Sequence, residues 1–150
     1  MENKRSVGNG IERQTKDKIK VLVVDDEESV RKIISILLDK TEEYEIDTIT
    51  VPSGMNIEND LEQHQPDLVI LDRCFLPGDP MGDEVLERIY KTNNKSQVIM
   101  FSADVSLSFN EISKLEIPKR YIMNYVTILS KNHGYKRVQN LIVNYFSHLN

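Results

Sequence analysis

Short runs of apolar residues alternate with helical patterns from Lys18 onward. Four of the runs are rich in aliphatic side chains, and those at residues 21–24 and 68–71 are continuous, which is typical of strands that are covered on both faces. A further run is more mixed and ends at a Pro-Ser-Gly turn signal, as a strand often does. The five predicted strands are residues 21–24, 44–51, 68–71, 98–101 and 126–129.

Amphipathic patterns between these runs predict helices, because apolar residues recur there at the spacing of one helix face. The pattern of the first helix consists of Val30, Ile33, Ile34, Leu37 and Leu38. Shorter patterns predict a second and a third helix around Ile57, Leu61, Val85, Leu86 and Ile89. The pattern of the last helix consists of Val138, Leu141, Ile142, Tyr145 and Leu149.

The fourth helix is predicted from its end signals. Ser108 and Glu111 have the spacing of a capping box, and Pro118 would stop a helix that starts there. Five strands that alternate with five helices predict an α/β fold, a doubly wound five-stranded parallel sheet with helices on both faces. We expect this domain to span residues 18–150, because residues 1–17 are polar and lack periodicity, as a flexible tail does.

The composition narrows the functional classes. With 39% apolar and 29% charged residues, the chain resembles an ordinary globular protein. No apolar stretch approaches the roughly 20 residues of a membrane span, and no hydrophobic run follows the basic N-terminal residues as it would in a secretory signal. The single cysteine, Cys74, excludes an internal disulfide and fits a reducing cytoplasm. The net charge of −5 argues against direct binding of nucleic acid.

Residues with distinct chemistry follow four of the five predicted strands. They are Asp25 and Asp26 after the first strand, Asp72 after the third, Ser102 after the fourth and Lys131 after the fifth. In open parallel sheets, ligands bind beyond the carboxyl ends of the strands. We therefore expect three acids, a hydroxyl and an amine to meet at one edge of the sheet.

Such a set of groups suits phosphoryl chemistry. Carboxylates that share a partly buried cleft repel one another unless a cation is present, and oxygen ligands that must also hold a phosphate favour Mg²⁺. One carboxylate could then attack phosphorus, while the amine and the hydroxyl stabilise the transferred group. Taken singly, each residue has a simpler explanation, such as a helix-start acid or a solvated lysine. Their joint order along the chain favours one shared mechanism.

The motifs VLVVDDEESVRKI, PDLVILD, VIMFSA and VTILSK resemble those of the receiver domain of two-component response regulators, over about residues 18–149. The resemblance implies a flavodoxin-like strand order, 2-1-3-4-5, and phosphorylation of Asp72. Ser102, thirty residues past Asp72, and Lys131 match the family's hydroxyl and lysine positions.

The resemblance also implies a magnesium site and partners. Asp26 would bind Mg²⁺ directly, Asp25 would hold a metal-bound water, and Asp72 and the backbone carbonyl of Cys74 would complete the protein's share of the ligands. The phosphoryl donor would be a sensor histidine kinase or a histidine phosphotransfer protein. With no output domain visible, a face of the fourth helix, fifth strand and fifth helix would contact a downstream protein or a second copy. The chain would then be a signalling protein and not an enzyme with a substrate of its own.

Several positions depart from the family pattern. Leu76 occupies the usual proline position and Pro77 follows it, while the expected glycine comes late, at Gly82, so the loop after Asp72 is expected to be longer than usual. Lys131 lies 29 residues after Ser102, more than is usual, which indicates an insertion in residues 116–125. Ile128 replaces the expected aromatic switch residue. These departures leave open a pseudo-receiver, a binding module that keeps the fold without being phosphorylated.

Other functional readings fit less well. A phosphohydrolase of the haloacid dehalogenase type needs Asp-x-Asp after the first strand, whereas this chain has Asp25-Asp26-Glu27. The chain also lacks the G-x-x-x-x-G-K-S/T loop of P-loop nucleotidases. Arg73 and Asp104 border the predicted site and would influence the lifetime of a phosphoryl group, in a direction that the sequence does not specify.

Overall fold

A computed structural model describes residues 18–73, 76–103 and 114–147. Across these residues five parallel strands form one sheet in the order β2-β1-β3-β4-β5. The strands are β1 (Lys18–Val24), β2 (Glu45–Val51), β3 (Leu68–Leu71), β4 (Gln97–Ser102) and β5 (Val126–Ser130). The helices are α1 (Glu28–Asp39), α2 (Ile57–His64), α3 (Gly82–Lys91), α4 (Lys119–Tyr125) and α5 (Lys136–Ser147). The predicted doubly wound α/β fold with strand order 2-1-3-4-5 is confirmed.

The two faces of the sheet carry separate apolar cores. Because successive side chains of a strand point to opposite faces, Leu22 and Val24 of β1 pack with the core beneath α2, α3 and α4, whereas Val21 and Val23 pack with the core beneath α1 and α5. All four residues of β3 are buried, as expected for a central strand covered on both sides. The buried sheet therefore supports the residues that follow the carboxyl ends of its strands.

The buried face of α5 differs from the predicted one. Tyr145 was predicted to be part of that face but is 40% exposed, whereas Gln139 and Phe146 are buried instead. Burial of Gln139 is tolerated because its side-chain amide donates to the carbonyl of Leu37 and to the hydroxyl of Thr41, both at 2.9 Å. The apolar pattern could not anticipate this, because it treats a glutamine as an outward-facing residue.

A helix occupies the segment that was predicted to be an insertion. Pro118, which was expected to end the helix predicted from Ser108, directly precedes α4 with a φ of −58°. Proline suits that position because the first N–H groups of a helix have no partner within it. The helix runs into β5 without an intervening loop, since α4 ends at Tyr125 and β5 begins at Val126. The helix predicted from Ser108 and Glu111 lies outside the described residues.

Tyr121 of α4 belongs to an aromatic cluster with Tyr90 and Tyr125. Its ring centroid is 4.9 Å from that of Tyr90 and 5.1 Å from that of Tyr125. Its hydroxyl is buried without a hydrogen-bond partner among the described residues. Burial, reinforced by the two neighbouring tyrosines, raises the pKa of Tyr121 to about 12.

Replacement of Tyr121 by phenylalanine is expected to stabilise the fold by about 1 kcal/mol, because an unsatisfied buried hydroxyl is removed while the ring contacts remain. Urea unfolding at neutral pH measures this change. In the wild type, the free energy of unfolding should fall as the pH rises above the ordinary tyrosine pKa of 10.0, because the unfolded chain ionises first. Tyr121→Phe should lose less stability over that range, and equal losses in both proteins would contradict the assignment.

The expectations for the two ends of the chain and for a membrane span have different outcomes. The tail predicted for residues 1–17 lies outside the described residues, as does Leu149 of the predicted α5 pattern. Within the part of the chain that the structure describes, every helix is too short or too polar to cross a membrane.

Candidate functional site

Three aspartates converge where β1 and β3 end. The amide of Asp25 donates to the carbonyl of Val51 at 3.2 Å, and the amide of Asp72 donates to that of Val24 at 3.0 Å, so both residues continue the ladder of the sheet. Each of Asp25, Asp26 and Asp72 offers a carboxylate oxygen, and these oxygens lie within 4.8 Å of one another. An all-oxygen, anionic donor set of this size fits a hard divalent cation such as Mg²⁺.

Lys131 provides the positive charge of this cluster. It is the first residue after β5, where the hydroxyl of Ser130 accepts a hydrogen bond from the amide of Asn132 at 3.1 Å and caps the short 3₁₀ helix Lys131–His133. The ammonium Nζ atom lies 2.9 Å from Asp25 Oδ2 and 3.5 Å from Asp72 Oδ2. The structure therefore brings Lys131 to the carboxylates despite its unusual distance along the chain from Ser102.

The surroundings of Lys131 keep it charged. Burial by itself would lower the pKa of Lys131, but the hydrogen bond that its ammonium donates to Asp25 and the negative charges of Asp72, Asp25 and Glu27 outweigh burial and raise the pKa above its ordinary value. Since 11% of its side chain is exposed, the ammonium is screened little by solvent. The site thus contains a permanent cation that partly balances three carboxylates.

Ser102 ends β4 at the same edge of the sheet. It is 2% exposed and is paired in register with Ser130, the residue that precedes Lys131. The structure thus brings Asp25, Asp26, Asp72 and Lys131 together, and it places Ser102 at the carboxyl end of the neighbouring strand β4. Cys74, the remaining predicted ligand, and Asp104, the predicted neighbour, lie outside the described residues.

Two neighbours of the acidic pair were missed from the sequence. Arg31 of α1 donates from Nη1 to the backbone carbonyl of Asp25 at 2.6 Å, and the amide of Glu27 donates to the Asp25 carboxylate at 2.9 Å. Together they hold the main chain and the side chain of Asp25. The helical pattern of α1 predicted only its apolar face, although an arginine one turn into a helix can reach back to the strand that precedes it.

Gly82 holds the start of α3 against the backbone that carries Asp72. Its amide donates to the carbonyl of Arg73 at 2.8 Å. A Cβ atom at this position would lie 2.2 Å from the carbonyl oxygen of Asp72 and 2.6 Å from the Cα atom of Arg73. From the sequence, Gly82 served only as a marker of loop length. The structure shows that the absence of a side chain permits this contact.

Substitution of Gly82 by alanine is expected to destabilise the fold by about 2 kcal/mol, because the new methyl group would overlap backbone atoms that cannot move aside. The free energy of unfolding in urea measures the effect. Met81→Ala is the matched control, since Met81 directly precedes Gly82 and is 46% exposed. Similar losses in the two variants would contradict this role of Gly82.

A cavity of about 730 Å³ lies away from these residues. It is at the opposite edge of the sheet, beside Asp67 and Ser96, where β3 and β4 begin. Its lining contains none of the five residues predicted to lie at the carboxyl edge. The candidate site is therefore identified by its chemistry and not by the size of a cavity.

Comparisons with protein families and with known proteins agree on one family. Residues 21–116 match the family model of the response regulator receiver domain. A protein-glutamate methylesterase/protein-glutamine glutaminase of Trichodesmium erythraeum is 40% identical over 86 residues. That match covers 57% of this chain but only 24% of the relative, so the chain spans about a quarter of the length of that protein.

Solved structures share this fold, and several of them are receiver domains. The signal receiver domain of a Luxo repressor protein from Vibrio parahaemolyticus is 25% identical, with a TM-score of 0.65 over 87% of this chain and 92% of that one. A receiver domain of a Francisella response regulator has a TM-score of 0.68 at 20% identity, covering 88% and 99% of the two chains. A chemotaxis protein of Vibrio cholerae has a TM-score of 0.65 at 19% identity, covering 85% and 98%. At these last two identities the likeness concerns the fold alone.

Proposed function

Because this chain belongs to the response regulator receiver domain family, we propose that it accepts a phosphoryl group on Asp72 and signals through contact with another protein. The observation that supports this most strongly is the cluster itself. Carboxylate oxygens of Asp25, Asp26 and Asp72 lie within 4.8 Å of one another, and Lys131 Nζ is 3.5 Å from Asp72. This arrangement provides a nucleophile, a cation site and a countercharge in one place.

In the proposed reaction, a carboxylate oxygen of Asp72 attacks the phosphorus atom of a phosphohistidine. An O–P bond forms, the N–P bond of the donor breaks, and its electron pair stays on the imidazole, which leaves with the donor protein. The Lys131 ammonium offsets the charge on the phosphoryl oxygens, and the Ser102 hydroxyl donates a hydrogen bond to one of them. A sensor histidine kinase or a histidine phosphotransfer protein would supply the group.

The magnesium ligands that we propose are those that the resemblance to receiver domains implies. Asp26 would bind the ion directly and Asp25 through a water molecule, while an oxygen of Asp72 and the backbone carbonyl of Cys74 would complete the protein's ligands. When bound, the ion neutralises carboxylate and phosphoryl charge. Arg31 and the amide of Glu27 keep Asp25 in place for this role, because they bind its carbonyl and its carboxylate at 2.6 and 2.9 Å.

Output would follow from a shift between two existing arrangements of the domain. Phosphorylation would draw Ser102 and Lys131 toward Asp72, which stabilises one arrangement over the other. Lys131 follows β5 directly, and β5 continues α4 without a loop. A displacement of Lys131 would therefore act on β5 and on the helices beside it. We propose that the face formed by the fourth helix predicted from Ser108, β5 and α5 contacts a downstream protein or a second copy. The domain would span residues 18–150 and act in the cytoplasm.

The proposal is tested by incubating the wild-type chain with acetyl phosphate, with Mg²⁺ and with a chelator, followed by intact mass spectrometry. We expect one added phosphoryl group that depends on Mg²⁺ and is removed by hydroxylamine, as acyl phosphates are. A chain that is folded but never acquires the group would be a pseudo-receiver, and the proposal would be wrong.

A further inference from the structure

Arg73 and Asp83 join the two ends of the loop that follows the phosphoacceptor strand. Arg73 Nε lies 3.3 Å from each carboxylate oxygen of Asp83, and Arg73 Nη2 lies 3.2 Å from Oδ2. Their side chains are only 13% and 24% exposed. A forked pair in such a position is stronger and more directional than an ordinary surface ion pair.

The pair acts on the backbone next to Asp72. Arg73 directly follows Asp72, and Asp83 is the second residue of α3, directly after Gly82. The Gly82 amide donates to the Arg73 carbonyl at 2.8 Å, and a Cβ at Gly82 would overlap the carbonyl oxygen of Asp72. The ion pair and the hydrogen bond from the Gly82 amide thus hold the first turn of α3 against the backbone of Asp72 and Arg73.

The loop between β3 and α3 explains why a contact between its two ends is useful. It places Leu76 where the family pattern has a proline, and its glycine comes late. A longer loop with a displaced proline restricts its ends less, because more backbone conformations connect the same two points. A directional contact between Arg73 and Asp83, which lie at the two ends of the loop, limits the conformations of those ends again.

We propose that Arg73 and Asp83 form a positioning pair that fixes the backbone at Asp72, and thereby sets the distance of its carboxylate from Asp25 and Asp26. This inference rests on the proposed function, since it assigns the pair a role in the same site. The pair acts through the position of Asp72, so Asp83 is as necessary as Arg73. If the guanidinium instead contacted the phosphoryl group directly, Asp83 would only restrain it.

The test compares Arg73→Gln, Asp83→Asn and the double variant. Each single substitution is expected to weaken Mg²⁺ binding about tenfold, the usual effect of losing a residue that orients a ligand. The double variant should be no weaker than either single variant, because both remove the same contact. Calorimetric titration measures the dissociation constant, and hydrogen exchange of the Gly82 amide should become faster in all three. The rate of modification by acetyl phosphate should fall by a similar factor.

Arg88→Gln is the matched control. Arg88 also lies on α3 and pairs with a carboxylate, that of Glu58 on α2, with Nε 2.7 Å from Oε2. It contacts none of the three aspartates through the hydrogen bonds that the described residues make. We expect Mg²⁺ binding in this variant to equal that of the wild type.

Three results would overturn the inference. Loss of Mg²⁺ affinity in Arg73→Gln but not in Asp83→Asn would show that the arginine acts directly. Unchanged affinity and unchanged exchange in both variants, with a wild type that binds Mg²⁺ and is phosphorylated, would remove the positioning role and leave the proposed function intact. A wild type that neither binds Mg²⁺ nor becomes phosphorylated would overturn both.

Discussion

Asp72→Asn is expected to abolish the phosphoryl adduct that the wild-type chain forms with acetyl phosphate and Mg²⁺. The amide is nearly the same size as the carboxylate but carries no charge, and its oxygen is too weak a nucleophile to attack phosphorus. The fold should persist, because the bond from the Asp72 amide to the Val24 carbonyl belongs to the backbone. Intact mass spectrometry detects the adduct, and circular dichroism verifies folding.

The chain offers a control on the same strand. Asp67 directly precedes β3, whereas Asp72 directly follows it, so the two aspartates lie at opposite ends of the strand. The carboxylate of Asp67 accepts a hydrogen bond from the amide of Lys20 at 2.8 Å. Asp67→Asn should therefore be modified as readily as the wild type. An adduct that persists in Asp72→Asn would place the modification on another residue and contradict the assignment.

Lys131→Met is expected to lower the free energy of unfolding by about 3 kcal/mol in the absence of divalent cations, because it leaves buried carboxylates without their cation. The side chains of Lys131, Asp25 and Asp72 are 11%, 3% and 5% exposed, so water compensates little for the lost charge. Added Mg²⁺ should restore part of the loss, since it binds only the folded chain. Urea unfolding with and without Mg²⁺ measures both effects.

Lys32→Met provides the comparison for this experiment. Lys32 pairs with Glu28 at 3.0 Å, but their side chains are 69% and 70% exposed. Such a surface pair contributes little to stability because solvent screens it, and its loss should not depend on Mg²⁺. If both lysine variants lost equal stability, Lys131 would not be the countercharge of the acidic cluster.

The strands and their carboxyl ends were predictable because they depend on local patterns. Buried runs such as residues 68–71 are continuous and aliphatic, and parallel strands place their ends at one edge. These two facts were enough to expect Asp25, Asp72 and Lys131 near one another. The roles of these residues in phosphoryl transfer remain predictions until the experiments above are done.

Contacts between distant segments were not predictable in the same way. Nothing local to Arg73 indicates that Asp83 will lie beside it, since the pairing depends on where α3 starts after its loop. The buried face of α5 was misassigned for a related reason, because Gln139 is accepted inside only where Thr41 and Leu37 supply its partners. Pro118 likewise ends one helix or begins another according to its surroundings.

The amino-acid order thus specifies the fold and the set of reactive groups, since both follow from the period of the apolar residues and from what comes after each strand. The closeness of Lys131 to Asp25 and Asp72, the fastening of α3 at Gly82 and the Arg73–Asp83 pair arise from packing between segments far apart in the chain. The first kind of information is local and repeats along the sequence. The second depends on the balance of many weak contacts that exist together only once the chain has folded.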